Sequence, residues 1–163
     1  MNRIKIVFVV VVNLILQGTF FSRISFIGTY PNISLPVIIG LAIGFGPYIG
    51  GFSALIIGLL EDMLLGRVLG VKALIYFVLG FLIGNSNAGI NKEDIRTGLI
   101  LTAFSTFIYM IYTVILSRIL QDPIGILYYL KGPIFIEILL NTLLYIPVFY
   151  LFKRLFQFPR FRL

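Results

Sequence analysis

Apolar runs long enough to cross a bilayer recur along this chain almost without interruption, and no other feature limits its fold so tightly. Only 12% of the residues are charged and 60% are hydrophobic, against about 25% charged and about 45–50% apolar in an ordinary soluble domain. A soluble fold of 163 residues cannot hide that much apolar surface, so part of its solvent must be lipid. A spanning helix takes about 20 mainly apolar residues, which leaves room for about six spans and short connectors. The expected architecture is a single polytopic membrane domain over residues 1–163, an all-α compact bundle of about six transmembrane helices.

The spans are expected at Ile4–Phe21, Ile33–Phe45, Tyr48–Leu65, Val71–Gly84, Thr97–Leu120 and Pro133–Phe152. Pro31 breaks any helix before the second span, and Pro36 is tolerated in its first turn. Gly46-Pro47 is a strong break, so two helices are preferred there over one long re-entrant unit. In the polar segment from Asn85 to Arg96, Asn91 suits an N-cap, and Glu93 and Asp94 suit the positive end of the helix that follows. The first apolar run, about 18 residues, exceeds the about 7–15 of a secretion signal's core and precedes no small-residue cleavage site, which predicts an uncleaved first span.

The chain carries no Cys and no His. That excludes disulfide frameworks, thiol nucleophiles and the usual zinc sites, and no cofactor is implied. The net charge of +7 reflects positive-inside bias rather than nucleic-acid binding, since no basic helix or RNA-type aromatic motif is present. With the N-terminus inside, the inner segments hold Arg3, Lys5, Lys92, Arg96, Lys153, Arg154, Arg160 and Arg162; the outer ones hold Arg23, Arg67, Lys72, Arg118 and Lys131. Both termini are therefore expected to be cytoplasmic.

Gly50, Ala54 and Gly58 form a small-residue stripe in the third span, and Gly40/Gly44 and Gly80/Gly84 repeat its spacing. Such stripes let helix backbones approach closely, within a bundle or toward a partner's helix. Glu61 and Asp62 end that span, and ionisable groups in spans face protein interior or water. At about 100° per residue, Glu61 lies within about 20° of the stripe's middle and Asp62 about 80° to its side, so Glu61 is expected inward and Asp62 on the flank. Either carboxylate can snorkel at the helix end or pair with Arg67 or Lys72 across the turn that holds Gly70. Arg118, Lys131 and Glu137 fall at the same depth and extend a possible charged layer. Asn13 and Gln17 in the first span and Asn141 in the last are expected to bond other helices, worth about 1 kcal/mol each. No phosphate-binding loop, nucleophile elbow or internal inverted repeat is visible.

The run Gly50-Gly51-Phe52 through Gly58-Leu59-Leu60-Glu61-Asp62, then Leu69-Gly70 and Gly80-Phe81-Leu82-Ile83-Gly84, resembles the bacterial rod shape-determining MreD family. Pro31-Asn32 and Gln17 match that family's early motif. The resemblance places the family's acidic position on Asp62. It also implies a fold like that of the substrate-binding subunits of energy-coupling-factor transporters.

By the same resemblance, the chain is a non-enzymatic subunit of the cell-elongation machinery in the bacterial cytoplasmic membrane. Its implied partners are MreC first, then the MreB filament, RodA and a class B penicillin-binding protein that makes peptidoglycan, with membrane lipid around it and no nucleic acid. The rival reading is a vitamin-type transporter subunit. Such subunits tend to carry an Ala-x-x-x-Ala face in the first span; here Val7-Phe8-Val9-Val10-Val11-Val12 offers none.

Overall fold

In the computed structural model, residues 2–26, 28–66, 68–86, 94–119 and 133–156 are described. Five helices account for nearly all of these residues. They are α1 (Asn2–Leu16), α2 (Ser34–Leu65), α3 (Val71–Asn85), α4 (Ile95–Ile119) and α5 (Pro133–Leu155). The helix α1 continues as a π-helical turn over Gln17–Phe21.

The expected count of six becomes five helices among the described residues. The expected second and third spans are joined in one element, α2, as two helical arms that meet at the non-helical Gly46 (φ 84°, ψ −173°) with Pro47 directly after, so the expected break is present. Only a residue without Cβ takes that backbone conformation readily. The bend reverses the chain. A straight helix would separate Ser34 from Glu61 by about 40 Å, yet their side chains are hydrogen-bonded. The first arm, Ser34 to Phe45, is about 18 Å long at ~1.5 Å per residue, short of the about 30 Å of a hydrocarbon core. It serves as the axis of the bundle: every residue from Ser34 to Ile43 is buried.

By length and composition, Arg3–Phe21, Ile95–Ile119 and Ile134–Leu155 can each cross a membrane, as can Ser34–Leu65 when counted through its bend; α3 is shorter. Large apolar side chains cover their outer faces, among them Phe8, Phe52, Ile56, Leu74, Phe104, Ile115 and Leu139. Side chains of this kind are stable on a surface in contact with acyl chains. The chain is a multi-pass membrane protein.

Both ends of the described chain lie at one end of the bundle. The Lys5 ammonium donates to the Leu155 carbonyl at 2.7 Å. The α2 bend is at that end too, since the rings of Phe45 and Phe156 meet edge to face at 4.8 Å. The opposite end carries the connector from Ser22 to Ile33, where Phe26 and Thr29 exchange backbone hydrogen bonds at 2.8 and 3.0 Å. It also carries the turn from α2 into α3. Asn91, Lys92, Glu93, Lys131 and the tail arginines Arg160 and Arg162 lie outside the described residues, as does Arg67.

Candidate functional site

The second arm of α2 and the helix α3 approach so closely that no side chain fits between them. A Cβ on Gly50 would come within 2.6 Å of the Ala42 Cα and 3.1 Å of the Gly80 carbonyl oxygen. One on Gly58 would meet the Ala73 Cα at 2.5 Å, and one on Gly80 would touch the Ala54 Cβ at 3.0 Å. The stripe of Gly50, Ala54 and Gly58 is thus spent inside the chain. It packs on the first arm of α2 and on α3, and it is not a free face.

That close approach sets two carboxylates against the start of α3. Asp62 accepts the backbone N–H of Lys72 at 2.9 Å and of Ala73 at 3.3 Å. These are the second and third residues of α3, whose donors have no partner within the helix. The usual N-cap is a side chain one residue before the helix, but that residue is Gly70, held at φ 93°. Asp62 supplies the missing cap from the neighbouring helix and sets a negative charge at the positive end of α3. The expectation of a flanking Asp62 is therefore corrected. The α2–α3 turn folds over it, and Asp62 is buried.

Glu61 points into the bundle and is 1% exposed. Lys72 reaches it with an ion pair of 3.1 Å. The Tyr76 hydroxyl donates to the same oxygen at 3.3 Å, and the Ser34 hydroxyl donates to the other. Four residues apart on α3, Lys72 and Tyr76 share one face and close on the carboxylate together.

From Glu61 the hydrogen bonds run outward into every other helix. Asn13 on α1 donates to the Ser34 oxygen at 2.8 Å. Asn32 donates to the Tyr76 hydroxyl at 2.7 Å, and its backbone N–H donates to Asn141 on α5 at 2.8 Å. Asn141 reaches Thr106 on α4 at 3.4 Å. Gln17 holds the α1–α2 connector by accepting from the Ile33 N–H at 3.0 Å and donating to the Pro31 carbonyl at 3.4 Å. The result is a buried polar knot whose threads end on all five helices.

The structure thus brings together Asn13, Gln17, Asn32, Glu61, Asp62, Lys72 and Asn141. It does not join Glu137 to them by a hydrogen bond; that carboxylate lies in a separate cleft against α4. Arg118 is exposed on the last turn of α4 and makes no hydrogen bond or ion pair to the knot residues. Arg67 and Lys131, the other expected members of a charged layer, lie outside the described residues. Sequence reasoning missed Ser34, Tyr76 and Thr106. Ser34 had a signal, because it follows Pro31-Asn32 and its N–H closes on the Asn32 side chain at 3.1 Å, a turn that asparagine favours. Tyr76 and Thr106 had only their polarity within apolar helices.

These features define a compact helical membrane protein tied together by a buried polar network. The family model for the rod shape-determining protein MreD matches residues 1–155, nearly the whole chain, and the chain belongs to that family. No curated protein and no solved structure matches it.

Proposed function

We propose that this chain is a non-enzymatic subunit of the bacterial cell-elongation machinery, held in the cytoplasmic membrane with both termini in the cytoplasm. There it serves as the membrane scaffold for MreC, and through MreC for MreB, RodA and a peptidoglycan-synthesising penicillin-binding protein. The observation that carries this is the family match over residues 1–155, which makes it a rod shape-determining protein. The architecture is in keeping with a scaffold. Most of its buried polar side chains are spent on hydrogen bonds between helices.

A vitamin-type transporter subunit has less behind it. The cleft beside Glu137 has a volume of about 150 Å3, whereas small-molecule sites usually measure about 300–1,000 Å3. The test is co-purification of the full chain with MreC from membranes in which both are expressed. Recovery of a stoichiometric complex is expected, and recovery no better than that of an unrelated multi-pass protein sinks the proposal.

A further inference from the structure

At the end of the bundle away from the termini, the α1–α2 connector, α4 and α5 enclose the cleft of about 150 Å3. Tyr30, Tyr109, Thr113 and Glu137 are among its walls. Glu137 is 9% exposed and has no hydrogen-bond or ion-pair partner among the described residues. Lys72 is within electrostatic reach, but its ammonium is already paired with Glu61 at 3.1 Å. A largely buried carboxylate with no such protein partner, whose oxygens open only onto a small cleft, is costly to keep charged, and a cation that enters the cleft relieves that cost. Aromatic rings beside it favour the same kind of guest through their negative faces.

We propose that this cleft receives the charged end of a lysine or arginine side chain from a partner polypeptide seated over the outer end of the bundle. The inference rests on the scaffolding role proposed above. The cleft is too small for a drug-sized ligand and of a size for one head group. Lysine and arginine carry their charge on an uncharged stem, which leaves the rest of the partner outside. The ammonium of an ethanolamine lipid sits on a much shorter arm, and its phosphate would be drawn in beside the Glu137 carboxylate.

The test uses the full chain co-expressed with MreC. Glu137→Gln is expected to lower MreC recovery at least tenfold without moving the thermal midpoint of the purified chain, while Glu137→Asp keeps most of the recovery. Tyr30→p-benzoylphenylalanine is expected to crosslink to an MreC peptide that contains Lys or Arg. Reversal of that residue to Glu should abolish recovery, and Glu137→Lys should restore it. Should Glu137→Gln fail to fold, Glu137→Asp and the paired reversal decide. Recovery within twofold of wild type, or a crosslink only to phospholipid or to the chain itself, overturns the inference and leaves the scaffolding role standing. Failure of the unaltered chain to recover MreC overturns both.

Discussion

The carboxylate of Asp62, at the end of one helix, accepts the backbone N–H of Lys72 at 2.9 Å and so caps the start of the next. Capping interactions of this kind are worth about 0.5–2 kcal/mol in water, and the burial of Asp62 argues for the upper part of that range. Asp62→Ala is expected to destabilise the purified protein by about 2 kcal/mol, read as a lower thermal midpoint in detergent. Asp62→Asn keeps an acceptor oxygen but loses the charge at the helix's positive end, and should fall between the two. Gly70→Ala meets no atom within 4 Å but is forced to φ 93°, which costs about 1–2 kcal/mol. An Asp62→Ala midpoint equal to wild type would remove the cap from the account of the α2–α3 turn.

Glu61 and Lys72 form an ion pair with side chains 1% and 22% exposed. Removing one member of a buried pair costs about 3–5 kcal/mol because a charge is stranded, whereas replacing both is often nearly neutral. Lys72→Met should therefore destabilise by about 3 kcal/mol, the lower end of that range, since water reaches the ammonium. Adding Glu61→Gln to Lys72→Met should recover part of the loss, and a double-mutant cycle in thermal unfolding measures the coupling. Strict additivity of the two changes would show that the pair does not act as a unit.

Much of this was legible in the residues, for reasons that differ from one element to the next. Helix positions follow from apolar run length, so α1 with its π-helical turn, α3, α4 and α5 begin and end close to the expected residues. The inward aim of Glu61 follows from helical periodicity alone. The reversal at Gly46 was legible as a break. The burial of Asp62 depends on α3 folding back over it, a tertiary contact with no periodic signature. The stripe was legible as a packing surface, while its partner face on α3 had to be seen.

The Gly58 position gives a test of that stripe. A Cβ there would lie 2.5 Å from the Ala73 Cα and 2.6 Å from its amide nitrogen. Both are backbone atoms, which cannot swing aside as a side chain can, so Gly58→Ala must push α3 away and disturb the cap and the ion pair with it. Overpacking of a close-fitting interior typically costs about 1–3 kcal/mol. Gly18→Ala, with no atom within 4 Å of the new Cβ, serves as the matched control and should change the thermal midpoint little. If the two variants unfold at the same temperature, the α2–α3 contact is looser than the geometry states.

The proposed orientation can be tested on the native background, because the chain has no cysteine. Ser25, exposed in the α1–α2 connector, lies at the knot end, and Ser86, exposed just beyond α3, lies toward the other. Basic residues retained on the cytoplasmic side set orientation, and the hydrogen bond between Lys5 near the start of α1 and Leu155 at the end of α5 holds these two helix ends together. A membrane-impermeant maleimide is therefore expected to label Ser25→Cys in spheroplasts, and to label Ser86→Cys only after the membrane is opened. The reverse pattern would put both termini, and with them the α2 bend, outside the cell. It would place the Glu137 cleft on the cytoplasmic side, where a basic partner segment would have to reach it from within.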